Sequence, residues 1–182
     1  MYFKLAKKGR IVQSSAKGED MKTQKIILLL IVFGIYLGYY ACKAAEYYVV
    51  DGDSLEYGAE RIRLYGIDAP EYLQECRSLT GEKYPCGQKS KEFLQTLIND
   101  NISCKKYGKD RYGRSLKECF ASDGTSINRE MVINGWAVSF NDKFQKEEEL
   151  AQKRQKGIWQ GKFMRPELYR ALNRNRQKNF KR

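Results

Sequence analysis

The segment Ile62-Arg63-Leu64-Tyr65-Gly66-Ile67-Asp68-Ala69-Pro70-Glu71 carries the clearest structural signal in the chain. Charged and apolar residues alternate from Arg61 to Ile67, which predicts a β-strand with Ile62 and Leu64 on one face. Pro70 ends the strand, because proline has no N–H to donate to a strand ladder. The segment therefore predicts a strand followed by an acidic turn.

Further elements are predicted on both sides of this strand. Tyr47 to Val50 and Ser54 to Tyr57 are rich in β-branched and aromatic residues and flank the turn Asp51-Gly52-Asp53. Downstream, the patterns predict a long loop at 72–87, strands at 102–107 and 115–121, a connector or strand at 136–140, and helices at 88–99, 126–134 and 143–156. This order indicates an α+β, mainly β fold: a five-stranded OB-like barrel with about three helices.

Net charge and composition limit the binding partners and the catalytic mechanisms that this chain can have. The 182 residues carry a formal net charge of +12, which suits a nucleic acid or an anionic membrane surface, although it also serves general solubility. The chain contains no histidine, so mechanisms that use a histidine base, nucleophile or metal ligand are excluded. The remaining carboxylates and carbonyls favour a hard cation over zinc.

The N-terminal region predicts export. Ile26 to Tyr40 is apolar apart from glycines and tyrosines, follows Lys22 and Lys25, and is short for a membrane span, so it resembles the apolar region of a signal peptide. Cleavage after Ala44 would fit the small residues there. An uncleaved anchor and a lipoprotein attached through Cys42 are the alternatives.

Four further cysteines follow the predicted export signal. An even number in an exported protein predicts disulfides, and four cysteines allow three pairings. Local spacing favours Cys76 with Cys86 and Cys104 with Cys119. The alternative is that these residues are buried free thiols.

Several short motifs, each weak alone, occur together in a fixed order. They are Val50-Asp51-Gly52-Asp53-Ser54, the segment 62–71, Asp110-Arg111-Tyr112-Gly113-Arg114, Asn128-Arg129-Glu130-Met131-Val132, Gly135-Trp136-Ala137 and Gly157-Ile158-Trp159. Together they resemble the staphylococcal-nuclease-like (thermonuclease) family over about Tyr47 to Trp159.

The resemblance implies a calcium site. Asp53 and Asp68 match the family's two carboxylate ligands, and Ala69 matches the residue whose carbonyl is also used. Glu71 matches the glutamate that contacts the metal's water shell and is the proposed general base. Two carboxylates and a carbonyl would leave coordination positions for water and substrate.

The resemblance also implies how substrate is held. Arg63 and Arg114 match the arginines that grip the scissile phosphate, where bidentate donation stabilises the charge that builds up during attack. Tyr112 and Phe140 are candidate substrate contacts. The stretch around Phe140 departs from the family's tyrosines, and Phe140 is equally compatible with a core position.

The resemblance thus predicts a calcium-dependent endonuclease that acts on DNA and RNA with one calcium ion. The alternative is a non-catalytic nucleic-acid-binding OB-fold module. The N-terminal region predicts export, and the mature sequence shows no dimerisation heptad or large apolar stripe, which predicts a monomer. The predicted organisation is a polar segment at 1–20 that reflects a mis-assigned start, a signal peptide or anchor at 21–45, a nuclease-like OB-fold domain at 46–162, and a basic tail at 163–182.

Overall fold

The computed structural model describes residues 17–41, 46–99 and 101–180, and the chain divides into two compact units between Ala44 and Ala45. The first unit contains one helix, α1 (Lys17–Ala41). In the described ranges, no helix combines the length and the apolar character that a membrane crossing needs. Residues 1–16, the candidate lipid-attachment residue Cys42 and the predicted cleavage position after Ala44 lie outside the described residues.

The second unit is an α+β, OB-like fold whose main sheet has five strands, as the sequence predicts. The strands in chain order are β1 (Tyr47–Asp51), β2 (Ser54–Tyr57), β3 (Glu60–Leu64), β4 (Ile67–Asp68), β5 (Cys76–Ser78), β6 (Lys83–Tyr84), β7 (Ser103–Lys109), β8 (Ser115–Phe120), β9 (Val138–Ser139) and β10 (Gly161–Lys162). The main sheet has the order β1-β2-β3-β8-β7, with β3 and β8 parallel and the other pairs antiparallel.

The described part of this unit also contains four α-helices, α2 (Cys86–Leu97), α3 (Ile127–Ile133), α4 (Gln145–Lys153) and α5 (Pro166–Phe180), and a 3₁₀ helix at Gly157–Gln160. The first three are the predicted helices with shifted ends. Ser126 caps α3, because its side chain accepts a hydrogen bond from the Arg129 N–H at 3.3 Å. Helix α5 is formed by the segment that composition alone identified as a basic tail.

The predicted strand from Arg61 to Ile67 is wrong as a single element. Strand β3 ends at Leu64, and a turn precedes β4, which pairs with β9. Gly66 has a φ of +80°, a backbone conformation that favours glycine and interrupts the strand. The break turns Asp68 away from the main ladder and toward the residues described below.

The long loop at 72–87 is also more ordered than predicted. Strands β5 and β6 form a hairpin in it, and β10 pairs with β5, so a three-stranded sheet connects this region to the segment before α5. Helix α2 begins at Cys86, two residues earlier than predicted, directly after Pro85.

Apolar residues from the sheet and the helices share one core. Leu55, Ile62 and Leu64 are buried against Leu94 of α2 and Met131 of α3. Burial of both Ile62 and Leu64 confirms the predicted inward face of β3. Burial of this kind contributes roughly 1.5–3 kcal/mol for each large side chain, which holds the strand ends that carry the polar residues in place.

Both predicted disulfides are present. Cys104 and Cys119 lie opposite each other in the β7–β8 pair and are bonded. Cys76 and Cys86 join β5 to the first residue of α2. The local pairing is therefore confirmed, and the free-thiol alternative is wrong for these four residues.

Candidate active site

Two buried aspartates and one arginine meet where β2, β3 and β4 come together. Ser54 lies opposite Arg63 in the antiparallel β2–β3 pair, which brings Asp53 beside Arg63. The Leu64 N–H donates to the Asp53 carbonyl at 2.8 Å and fixes this register. Asp68 arrives from β4, immediately after the turn at Gly66.

Arg63 joins the two carboxylates through separate nitrogens. Its Nη1 donates to Asp53 Oδ1 and its Nη2 donates to Asp68 Oδ1, the latter at 2.6 Å. Asp53 Oδ1 also accepts from the Ser54 hydroxyl at 3.0 Å, and Asp53 Oδ2 accepts from the Ala69 N–H at 2.7 Å. The guanidinium fork therefore fixes the spacing of the two acids.

Burial disfavours the ionised forms of the two aspartates and of Arg63 unless opposite charges lie beside them. Asp53 is 1% exposed and Asp68 is 3% exposed. Burial raises the pKa of Asp53 well above its usual range, although the nearby Arg63 guanidinium acts in the opposite direction. Burial alone would lower the pKa of Arg63, but the negative charges of Asp53 and Asp68 outweigh it and raise that pKa. Buried acids of this kind need a cationic partner.

The turn that carries Asp53 packs so closely against α2 that no side chain fits at Gly52. A Cβ on Gly52 would lie 1.9 Å from the Ser90 hydroxyl oxygen and 2.7 Å from the Ala69 Cβ. Ser90 itself donates to the Trp136 carbonyl at 2.7 Å. Because glycine alone fits here, the turn holds Asp53 in one position.

A second arginine, which sequence analysis did not assign to the site, contacts the same acids. Arg170 of α5 donates from Nη1 to Asp68 Oδ1 at 2.9 Å and to Glu71 Oε1 at 2.8 Å, and from Nη2 to Asp68 Oδ2 at 2.8 Å. Burial would lower the pKa of Arg170, but the hydrogen bonds to Asp68 and Glu71 outweigh it and raise that pKa. The only sequence signal for Arg170 was the general basicity of its segment, which does not single it out.

Arg114 makes different contacts from the other two arginines. It directly precedes β8, and its Nε donates to Asp110 Oδ2 at 2.7 Å. Burial would raise the pKa of Asp110, but the hydrogen bonds from Arg114 outweigh it and lower that pKa. The structure therefore brings together Asp53, Asp68 and Arg63, adds Glu71 through Arg170, and pairs Arg114 with its own loop.

The two candidate substrate contacts are both exposed aromatic rings. Tyr112 is 63% exposed, with the Arg111 and Arg114 guanidinium carbons 4.9 Å and 5.8 Å from its ring centroid. Phe140 is 47% exposed, and its N–H donates to the Gly66 carbonyl at 2.9 Å. The exposure of Phe140 argues against the core position that the sequence left open.

The polar groups that converge here are oxygens of the kind a hard cation prefers. Among the described residues, no group of three or more His, Cys, Asp or Glu side chains has the arrangement of a metal site. Asp53 and Asp68 supply two buried carboxylates that already share a cationic partner. A calcium ion would fit this donor set if backbone carbonyl and water completed its shell.

Comparison with known proteins identifies the family of this fold. Residues 61–161, more than half of the chain, match the family model described as "Staphylococcal nuclease homologue". This range contains Arg63, Asp68, Glu71 and Arg114 and ends before α5. Asp53 and Arg170 lie outside it.

Three relatives show how far the similarity extends. The succinoglycan biosynthesis protein ExoI of Rhizobium meliloti is 39% identical over 92 residues, which are 50% of this chain and 48% of ExoI. Endonuclease YhcR of Bacillus subtilis is 32% identical over 61% of this chain and 11% of its own length. An uncharacterized endonuclease of Escherichia coli O157:H7 is 35% identical over 49% of this chain and 55% of its own length. The chain thus matches about half or less of the length of these relatives.

Proposed function

We propose that this chain, which belongs to the staphylococcal nuclease homologue family, is an exported calcium-dependent endonuclease that hydrolyses phosphodiester bonds in DNA and RNA. The observation that carries the proposal is the bridge from Arg63 to two buried aspartates, with Glu71 held beside Asp68 by Arg170. An arginine held by carboxylates at a strand end has donors already oriented for an anionic oxygen. Relatives that are named as endonucleases support the same class of activity.

Arg63 and Arg114 would bind the scissile phosphate. Attack by water concentrates negative charge on the phosphate oxygens, and two guanidinium groups stabilise that charge by bidentate donation. Arg63 would exchange its contacts with Asp53 and Asp68 for the phosphate, and Arg114 would exchange its contact with Asp110.

The residues that would hold calcium are Asp53, Asp68 and the carbonyl of Ala69. When bound, calcium neutralises the phosphate charge and orients an attacking water. Asp53 is already fixed by the Ala69 N–H and the Ser54 hydroxyl, so its carboxylate would keep its position when Arg63 turns to the phosphate. The all-oxygen donor set is consistent with the complete absence of histidine from the chain.

Glu71 would take the proton from the attacking water. Its side chain is 34% exposed, so water can reach it, whereas Asp53 and Asp68 are almost fully buried. In the structure Arg170 holds the Glu71 carboxylate at 2.8 Å. Because Arg170 occupies a carboxylate oxygen of Glu71, Glu71 must loosen this contact before it can accept a proton from water.

Two further parts of the proposal concern location and assembly. Export is supported by the apolar run from Ile26 to Tyr40 and by two disulfides, which persist in oxidising compartments. Fractionation of the native host, followed by N-terminal sequencing, tests export; an intact N-terminus in the cytosolic fraction would contradict it. We propose a monomer, which light scattering of purified protein tests.

Hydrolysis of DNA and RNA by the purified chain tests the activity directly. Single-stranded DNA, plasmid DNA and RNA are incubated with calcium, with excess chelator, and with calcium restored after chelation. We expect cleavage of all three that is lost in chelator and recovered on addition of calcium.

Glu71→Gln with Glu75→Gln as its matched control separates an enzyme from a binding module. Glu75 lies in the same region, is exposed and pairs with Lys83 at 2.8 Å. We expect Glu71→Gln to lose most turnover while it still binds DNA, and Glu75→Gln to keep both. Binding of DNA by the wild type without any cleavage would favour the non-catalytic OB-fold module instead.

A further inference from the structure

We propose that the cleft between Glu71–Leu73 and one face of α5 is a second nucleotide subsite, which binds the nucleotide next to the scissile phosphate in single-stranded nucleic acid. The inference rests on the proposed nuclease function and adds to it a subsite formed by the C-terminal helix. The cleft has a volume of about 500 Å³ and is lined by Glu71, Tyr72, Leu73, Tyr169, Arg170, Asn173, Arg174 and Gln177.

The helix contributes one continuous polar face to this cleft. Arg170, Asn173, Arg174 and Gln177 follow the spacing i, i+3, i+4 and i+7, which places them on the same side of α5. All four line the cleft. Two basic residues of this helix, Arg170 and Arg174, thus line the same cleft.

Hydrogen bonds hold helix α5 and the segment before it against the chain that follows Glu71. Tyr169 Oη donates to the Leu73 carbonyl at 3.3 Å, and the buried Gln74 donates from Nε2 to the Met164 carbonyl at 2.6 Å. Arg170 then spans from the helix to Asp68 and Glu71. A strand whose phosphate lies at these acids would therefore enter the cleft with its neighbouring nucleotide.

The lining offers each kind of contact that a nucleotide can use. Arg174 is exposed and has no ion-pair partner among the described residues, so its charge is available for a phosphate. Asn173 and Gln177 present amides that both donate and accept hydrogen bonds, as base edges require. Tyr72 is 46% exposed, with Lys91 Nζ 5.3 Å from its ring centroid, and the exposed part of the ring offers an aromatic surface for stacking.

These contacts favour a single strand over a duplex and over a lipid surface. A base inside a duplex has its faces covered by its neighbours and cannot stack on Tyr72, whereas an unpaired base can. An anionic membrane would be attracted by the arginines alone, because a flat lipid surface cannot contact amides and tyrosines that line a concave cleft. The occupant with the matching chemistry is an unpaired nucleotide and its phosphate.

Binding of a fluorescein-labelled eight-nucleotide thymidine oligonucleotide to the full chain, in excess chelator, tests the subsite without any cleavage. The variants are Arg174→Gln, Tyr72→Leu and Arg176→Gln, measured by anisotropy over a series of salt concentrations. Arg176 is the matched control because it is exposed on the same helix, carries the same charge and does not line the cleft. Thermal unfolding checks that each variant is folded.

We expect the two cleft variants to differ in kind as well as in size. Arg174→Gln should reduce the slope of log affinity against log salt by about 0.7, the value for one phosphate contact to a single strand. Tyr72→Leu should weaken binding about tenfold with no change in slope, because it removes a stacked base and no charge. Arg176→Gln should leave the slope unchanged.

Equal slopes for Arg174→Gln and Arg176→Gln, together with wild-type affinity for Tyr72→Leu, would overturn the subsite. So would binding of wild type to phosphatidylserine vesicles with no binding to the oligonucleotide. Absence of hydrolysis by the wild type in calcium would overturn the proposed nuclease function instead, and the binding comparison in chelator would still decide whether the cleft holds a nucleotide.

Discussion

Replacement of Arg63 by lysine tests the proposed chemistry most directly. Arg63 uses two nitrogens to reach two acids, and its side chain is only 15% exposed. Lysine keeps the charge but presents one nitrogen, so it cannot reproduce the two-pronged geometry at the aspartates or at a phosphate. The change therefore removes directional hydrogen bonding while the buried acids keep a cation beside them.

The magnitude follows from the number of hydrogen bonds lost. A hydrogen bond to a charged group contributes about 1.5–3 kcal/mol, and every 1.36 kcal/mol of lost transition-state stabilisation is a factor of ten in rate. Loss of one of the two prongs of Arg63 should therefore lower turnover by roughly 10- to 100-fold. Removal of a single transition-state donor costs on the order of 100-fold or more in other enzymes, which places the expectation at the upper end of that range.

The matched control is Arg61→Lys. Arg61 lies two residues earlier in β3, its side chain is 67% exposed, and it is 4.0 Å from Glu56. Exposed pairs of this kind contribute little, so turnover should change by no more than about twofold. Arg114→Lys should behave like Arg63→Lys, because the proposal assigns both arginines to the phosphate.

The assay is cleavage of single-stranded DNA over a calcium titration at saturating substrate, for the wild type and the three lysine variants. Thermal unfolding confirms that each variant is folded. A turnover of Arg63→Lys within about threefold of the wild type, or an equal loss in Arg61→Lys, would refute the role assigned to the fork, because neither result depends on the two-pronged geometry.

Three further predictions address other parts of the molecule. Arg170→Gln removes the guanidinium that holds both oxygens of Asp68, so the calcium concentration for half-maximal cleavage should fall; an unchanged or higher value would show that Arg170 does not compete with the metal. Loss of the Cys76–Cys86 bond by double substitution to alanine should lower the free energy of unfolding by about 2–4 kcal/mol in denaturant titrations, and no loss would contradict a structural role. Burial would raise the pKa of Glu118, but its hydrogen bonds, first among them the one from Lys143, outweigh burial and lower that pKa. The ionised Glu118 side chain therefore stabilises the fold above the unfolded pKa of about 4.3, and this stabilisation is lost as pH falls through the pKa of the folded state. Glu118→Gln should accordingly be less stable than wild type by about 1–2 kcal/mol at pH 7, and the difference should shrink as pH falls below the unfolded pKa and through the lower folded pKa; a constant difference across pH would count against this account.

Local patterns in the sequence indicated the strands of the main sheet, three of the helices and both disulfides, because each depends on residues close together in the chain. Alternation of charged and apolar residues predicted the inward face of β3, and the spacing of Cys104 and Cys119 predicted their cross-strand bond. The order of the short motifs was enough to identify the family, which the match over 61–161 confirms. The site assignments to Asp53, Asp68, Glu71, Arg63 and Arg114 remain predictions for the experiments above.

Tertiary structure decided which charged groups contact one another. The break at Gly66 was missed because alternation of side chains continues through a glycine whose φ of +80° the pattern does not reveal. Arg170 contacts Asp68 and Glu71 across 102 and 99 residues, and no local pattern distinguishes it from the other basic residues of its segment. The sequence therefore determined the elements and the set of candidate acids and bases. Only the tertiary placement of α5 determined that a second arginine lies among those acids, because long-range ion pairs depend on how distant elements pack and not on the order of nearby residues.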